Sequence, residues 1–118
     1  MDLEVLQENL SKALSITSRF VATRAQLPVL ANLLLIAGKT KLIVSATNLE
    51  TSASISLGAK VKENGELTVP AKTFFEVVSN LMPGSVHLTS EKECLKIIGS
   101  GFTGRISGMN ASDFPKVP

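Results

Sequence analysis

The chain has few residues that could build a disulfide framework or stack on bases. Its 118 residues include one cysteine, one histidine, and no tryptophan or tyrosine. A single cysteine excludes an internal disulfide and a zinc site made from several cysteines, which fits a protein of the reducing cytoplasm. The chain also cannot use tryptophan or tyrosine rings to stack on the bases of a nucleic acid.

Charge of one sign and long apolar runs are also scarce. Twelve basic and ten acidic residues leave a net charge of +2, which is weak evidence for a partner bound through charge alone. The longest apolar run, LPVLANLLLIA at Leu27–Ala37, has eleven residues, whereas a membrane helix needs about twenty. No secretory-signal pattern opens the chain. We therefore expect one cytoplasmic domain with a single core and no membrane contact.

The sequence repeats itself at an offset of 64 residues. The matching positions, apolar except for Thr17, are Leu3 with Leu67, Val5 with Val69, Leu10 with Phe74, Ala13 with Val77, Leu14 with Val78 and Thr17 with Leu81. Within each half, the first two positions are two residues apart, as on one face of a strand. The later positions recur at intervals of three and four residues, as in an amphipathic helix. This periodicity predicts a duplicated unit with pseudo-two-fold symmetry.

Strand patterns follow both predicted helices. Alternation of apolar and polar residues over Leu49–Leu57 predicts a strand with one buried face, and Asn64-Gly65 is a strong turn signal before the second half. Three strand candidates follow the second helix, at Val86–Ser90, Cys94–Ile98 and Phe102–Met109. The predicted fold class is α+β, a duplicated β-α-β-β-β unit of eight strands. We expect antiparallel sheets on one side and the two helices together on the other.

The sequence offers no catalytic constellation. His87 alternates with Val86 and Leu88, so it is expected on the polar face of a strand, with no aspartate or cysteine on that face to orient it. Cys94 is expected to be half-buried and inert. The segment Gly99–Gly104 lacks the helix and lysine of a phosphate-binding loop and predicts a hairpin. We therefore expect neither a cofactor nor a metal site.

Basic residues give a stronger indication of function. In TVPAKTFFEVV, Pro70 is suited to the first helical turn and Lys72 falls in that turn, where the helix dipole disfavours a cation. An anionic neighbour would offset this cost. The basic residues expected on this side of the domain are Lys12, Lys72, Arg19 and Arg24. Such a surface would attract a phosphate backbone without reading bases.

Four motifs resemble, in their order and spacing, the first domain of the bacterial sliding clamps, the beta subunits of DNA polymerase III. They are LPVLANLLL after a loop containing arginines, TNLE after a strand, TVPAKTFFEVV at the start of the second half, and SDFP near the end. The resemblance implies a processivity factor that is not itself an enzyme. Residues 1–118 would be the first of three domains in a protomer, and two protomers would close head to tail around duplex DNA.

The resemblance also assigns DNA-facing residues. Arg24 matches the loop arginine that approaches DNA in this family, and Lys72 and Lys12 match basic positions on the two helices. Arg19 is our addition, inferred from its loop alone. The helices of such domains line the hole of the ring, where weak contacts with phosphates permit sliding.

Ring closure in this family involves the second helix and the last strand of this domain. Val77 and Ile106 match apolar positions of that surface, whereas Gly104 stands where the family often has a large aromatic residue. This departure predicts an altered strength or geometry of ring closure. The pocket for polymerase and clamp-loader peptides lies between the later domains, and the chain ends at Pro118, where the family continues. The resemblance therefore implies an excised fragment or a truncated product.

Two other classes of function remain open. A stand-alone interaction module could oligomerise or bind peptides through an exposed strand edge, without any role at DNA. A small enzyme would have to rely on His87 or Cys94. A stable closed oligomer of this chain in solution would favour the first, and loss of a detected activity on replacing either residue would favour the second.

Overall fold

The computed structural model describes residues 1–21, 31–48 and 50–114, which form nine strands and two α-helices. The strands are β1 (Asp2–Leu6), β2 (Asn32–Gly38), β3 (Lys41–Thr47), β4 (Ser52–Gly58), β5 (Lys60–Glu63), β6 (Gly65–Pro70), β7 (Ser85–Glu91), β8 (Cys94–Gly99) and β9 (Phe102–Ser107). The helices are α1 (Gln7–Thr17) and α2 (Ala71–Ser79). Short 3-10 turns follow at Ser18–Phe20 and Ala111–Asp113.

The two antiparallel sheets each combine strands from both halves of the repeat. One sheet has the order β5-β1-β7-β8-β9 and the other β4-β3-β2-β6. Strand β1 pairs with β7 of the second half, with Leu3 opposite Leu88, and β6 pairs with β2 of the first half, with Leu67 opposite Leu35. The predicted duplication is therefore confirmed, with the first strands of the two halves exchanged. Each half depends on the other to complete its sheet.

The prediction of eight strands misses β5. After β4 the chain passes through Ala59 and enters the other sheet, where Val61 of β5 lies opposite Leu3 of β1. Val61 is the one half-buried residue of β5, and its other three residues are charged and exposed. So short and polar an edge strand carries little hydrophobic periodicity, and the sequence pattern treated it as a connection.

The two helices pack against each other in antiparallel orientation. At the start of α1, the Gln7 side-chain amide donates a 2.8 Å hydrogen bond to the carbonyl of Val78 near the end of α2. At the opposite end, α2 contacts the turn Ser18–Phe20 that follows α1. Leu10 and Phe74, which match in the repeat, are both fully buried. The predicted helix pair on one side of the domain is confirmed.

In both sheets, alternate apolar residues pack into one shared core. The buried residues of the strands include Leu3 and Val5, Leu33 and Leu35, Leu42 and Val44, Leu67 and Val69, Val86 and Leu88, and Leu95 and Ile97. This alternation is the period of a strand with one buried face. Neither helix of the described residues has the length and apolar character required to cross a membrane.

The start of α2 differs in one detail from the predicted helix start. Pro70 is the N-cap residue, with φ −58° and ψ 124°, and Ala71 begins the helix. Pro70 also ends β6, where it lies opposite Asn32. Lys72 is consequently the second helical residue and remains in the first turn.

Candidate nucleic-acid interface

The outer surfaces of α1 and α2 form one largely polar surface, here called the helix face. Its exposed members are Glu8, Asn9, Lys12 and Ile16 of α1 and Lys72, Thr73, Glu76 and Ser79 of α2. An open groove follows the contact between the helices, with Lys12 and Ser15 on one side and Phe75 and Ser79 on the other. The helix face is therefore accessible to a large partner.

Lys72 occupies an unfavourable position for a cation. It lies in the first turn of α2, which contains no acidic residue, and among the residues that the structure describes it forms no ion pair. The matching position in α1 is Glu8, which lies in the first turn of that helix. The helix dipole stabilises an anion and destabilises a cation at this position. The two copies of the repeat thus carry side chains of opposite charge at equivalent positions.

The helix face carries charges of both signs. The repeat offset of 64 residues pairs Glu8 with Lys72 and Lys12 with Glu76, and all four side chains are exposed. Their formal charges cancel. The predicted basic surface therefore has mixed charge in the described part of the chain, and Glu8 belongs to it although the sequence did not predict it. The repeat itself contained the signal, because the helices it aligns carry opposite charges.

Arg19 adds positive charge at one end of the helix pair. It is exposed in the turn Ser18–Phe20, which α2 contacts. Because Lys72 lies at the start of α2, the structure brings Arg19 and Lys72 to the same end of the pair. Lys12 precedes Arg19 by seven residues, or about two helical turns. Arg24 lies outside the described residues, and its role stays a prediction.

The residues predicted for ring closure lie on α2 and β9. Val77 is half-buried and packs against the core, and Ile106 is buried at 7% exposure. Strand β9 is the last strand of its sheet, so within the described residues only β8 pairs with it. A side chain at Gly104 would collide with the Phe102 ring, because a Cβ there would lie 2.7 Å from Phe102 Cζ. Phe102 is two residues away on the same face, and the sequence did not predict it as part of this surface.

The expectation that no aspartate accompanies His87 is wrong. His87 Nε2 donates a 2.5 Å hydrogen bond to Asp2 Oδ1, with both side chains partly exposed. Pairing of β1 with β7 places Glu4 opposite His87 and Asp2 on the adjacent diagonal. The two residues are 85 positions apart, so only the sheet topology brings them together.

The open cavity beside this pair carries charges of both signs. Its charged lining consists of Lys39, Lys60 and Lys62 together with Asp2 and Glu4, and no serine or cysteine is among the described residues that line it. No group of three potential metal ligands occurs within residues 1–21, 31–48 and 50–114. Cys94 is half-buried, as predicted.

Comparisons with known proteins agree on one family. The model of the N-terminal domain of the DNA polymerase III beta subunit matches residues 1–118. The beta sliding clamp of Synechococcus elongatus is 36% identical, over 100% of this chain and 32% of the relative. The crystal structure of the DNA polymerase III subunit beta from Pseudomonas aeruginosa superposes with a TM-score of 0.94 at 28% identity, over 100% of this chain and 32% of that one.

A more distant structure shows the same fold. The Helicobacter pylori beta clamp bound to a DNA ligase peptide has a TM-score of 0.95 at 20% identity. The match covers 100% of this chain and 33% of the Helicobacter pylori chain. The chain thus spans about a third of the length of the relatives that it matches.

Proposed function

Because the chain belongs to the family of DNA polymerase III beta subunits, as their N-terminal domain, we propose that it is part of a DNA sliding clamp. In this proposal residues 1–118 are the first of three domains in a cytoplasmic protomer. Two protomers join head to tail into a ring around duplex DNA and tether the replicative polymerase. The chain contributes part of the DNA-facing surface and its charges, and it catalyses no step.

The helix face is the observation that carries this proposal. It is open, it is formed by two antiparallel helices, and it presents Lys12 and Lys72 without ion pairs among the described residues. A phosphate backbone is the partner that such a surface suits, because lysine side chains supply point charges and read no base edges. The cost of placing Lys72 at the positive end of α2 is offset when a phosphate lies opposite it.

The mixed charge of the helix face suits a protein that must slide. Lys12, Lys72, Arg19 and Arg24 attract phosphates, whereas Glu8 and Glu76 repel them. Net attraction is therefore weak, and retention on DNA comes from the closed ring. A weak, sequence-neutral interaction lets the ring move along the duplex without a large barrier at any register.

The proposal also assigns surfaces to protein partners. One end of the ring contact is formed by α2 and β9, with Val77, Gly104 and Ile106, against a second copy of the parent protein. Polymerase and clamp-loader peptides bind in later domains, outside residues 1–118. A peptide-binding role of that kind is supported by the Helicobacter pylori clamp, whose crystal structure contains a DNA ligase peptide. The family match over the whole chain does not favour a stand-alone interaction module.

Retention of the complete gene product on circular DNA tests the ring. The protein is loaded on nicked circular DNA, unbound protein is removed, and the DNA is then cut with a restriction enzyme. We expect retention on the circle and rapid loss from the linear ends. Equal retention on both forms would contradict the proposal, because it would mean that contacts hold the protein and topology does not.

Salt dependence tests the helix face. We expect weak binding of the chain to duplex DNA, and Lys12→Ala, Lys72→Ala and Arg24→Ala should each lower the slope of log K against log salt by about one. Glu76→Gln is the matched control, since it removes an opposite charge at the position equivalent to Lys12, and binding should become tighter. Sequence-selective binding that is insensitive to salt would refute this assignment of the helix face.

A further inference from the structure

An aromatic ring lies exposed on the free edge strand of one sheet. Phe102 begins β9 and is 37% exposed, one of four large hydrophobic residues in the described chain with so much exposed surface. Strand β9 pairs with β8 on one side only. An exposed aromatic side chain beside an unpaired strand edge is a feature of surfaces that become covered by another protein.

The ring of Phe102 lies along its own strand, over Gly104. A Cβ atom at Gly104 would lie 2.7 Å from Phe102 Cζ and 2.9 Å from Cε1, distances that real Cβ atoms do not adopt. Residues two apart on a strand share a face. Any side chain at position 104 would therefore displace the ring, and the glycine is required for the observed position of Phe102.

This face of β9 continues from the hydrophobic core. Two residues beyond Gly104, Ile106 is buried, and across the sheet Gly104 lies opposite the fully buried Ile97. Phe102 lies opposite Gly99, where a Cβ would approach Leu81 Cδ1 to 3.3 Å. Phe102 is thus flanked by two glycines, along its strand and across it, and it forms the outer limit of an apolar surface that reaches the segment after α2.

Charge does not protect this face of the edge strand. Arg105 points to the other face, where its guanidinium lies 3.9 Å from the Glu91 carboxylate. Natural proteins commonly protect a free edge with charged side chains, bulges or prolines. Here the ladder between β8 and β9 is regular from Cys94–Ser107 to Gly99–Phe102. The apolar face of β9 therefore remains available to a partner.

We propose that Phe102, lying on Gly104, supplies the aromatic contact through which this domain meets a second copy of the parent protein. The inference rests on the proposed ring, and it extends that proposal by assigning the contact to a residue two positions before Gly104. About two thirds of the length of the relatives lies outside this chain, which leaves room for a complementary apolar surface on another domain of the second copy. Aromatic side chains at such positions often dominate the binding free energy.

An aromatic side chain at either position 102 or position 104 could place its ring on this part of the surface. Both side chains project from the same face of β9, about 7 Å apart along the strand. A ring attached at position 104, with a small residue at 102, would cover much of the area that the Phe102 ring covers now. An aromatic residue at either position would thus present its ring at the same part of the surface.

Exchange of the two residues in the complete gene product tests this assignment. The variants are Phe102→Ala, Gly104→Ala, the exchange Phe102→Gly with Gly104→Phe, and Thr103→Ala as a control on the opposite face. The dimer dissociation constant is measured by sedimentation of fluorescently labelled protein, and thermal unfolding is followed for each variant. We expect Phe102→Ala to raise the constant about tenfold or more, and the exchange to restore most of the affinity. Thr103→Ala should leave it within about twofold.

Gly104→Ala keeps the assignment testable if Phe102→Ala fails to fold. The added methyl meets the far end of a flexible side chain, so the ring moves and the backbone need not. We expect the fold to persist and the dimer to weaken. An unchanged dissociation constant in Phe102→Ala or in Gly104→Ala, or an exchange variant no tighter than Phe102→Ala, would overturn the role of Phe102. A wild-type protein that is monomeric and is not retained on circular DNA would instead overturn the proposed ring.

Discussion

Lys72 allows the cost of a functional charge to be measured. The residue lies in the first turn of α2, is exposed, and has no ion-pair partner among the described residues. Replacement by glutamine removes the charge and keeps a side chain of nearly equal helix propensity. The change in stability therefore reports mainly the interaction of the charge with the helix dipole. We expect Lys72→Gln to stabilise the chain by about 0.3–1 kcal/mol, and Lys72→Glu by up to roughly twice that.

The repeat supplies a matched control in the same molecule. Glu8 occupies the equivalent position in α1, again exposed and in the first turn. Glu8→Gln removes a favourable charge, and we expect a loss of stability of similar size, about 0.3–1 kcal/mol. Opposite signs at the two positions would isolate the dipole, because any effect of glutamine itself would have the same sign in both helices.

Urea denaturation followed by far-ultraviolet circular dichroism measures both changes. The chain has no tryptophan or tyrosine, so intrinsic fluorescence is a poor probe. With a typical slope of about 1–3 kcal/mol per molar urea, the midpoint should shift by roughly 0.1–1 M. The shifts should shrink in about 1 M salt, which screens exposed charges. A destabilised Lys72→Gln variant, or shifts that persist undiminished in high salt, would refute the dipole argument.

Two further predictions concern stability of the fold. Gln7→Ala should lower the free energy of unfolding by roughly 1 kcal/mol, because it removes a buried 2.8 Å hydrogen bond to the carbonyl of Val78. The loss is limited because this carbonyl still accepts a hydrogen bond from the Leu81 amide. Urea titration measures the loss. Gly108→Ala should lower it by at least about 1–3 kcal/mol, because its Cβ would lie 2.2 Å from the backbone oxygen of Thr68, whereas Gly58→Ala, in open space, should change it by less than about 0.5 kcal/mol. A Gly108 variant as stable as the Gly58 variant in thermal melts would contradict this contact.

Retention of Lys72 against its stability cost would have a functional reason. The substitution that stabilises α2 is expected to weaken the attraction of the helix face to phosphates. Residues kept at a cost to stability are common at functional surfaces. The two measurements on Lys72→Gln, unfolding and salt-dependent DNA binding, should therefore move in opposite directions.

The candidate site was only partly predictable. Exposure of Lys12, Lys72 and Arg19 followed from their helical and loop positions, and the structure places all three at the exposed surface. The charge balance of the helix face required the repeat and the structure together, because Glu8 gains its significance only beside Lys72 of the other half. Phe102 could not be found by periodicity, since its position over Gly104 depends on a rotamer and on an absent side chain.

Apart from the short edge strand β5, the sequence by itself determined the local elements and their duplication. Apolar residues recur with the periods of strands and helices, and these periods depend only on backbone geometry within a few residues. Leu10 and Phe74 could therefore be identified as equivalent core positions of two helices, and both are fully buried.

Only the tertiary structure decided which strands pair. Strand β1 pairs with β7 and β6 with β2, so the two halves exchange their first strands, and this pairing brings His87 to Asp2. Any apolar strand can satisfy its neighbour's backbone hydrogen bonds. The choice among them depends on how the whole chain buries its apolar faces at once, which no local period records.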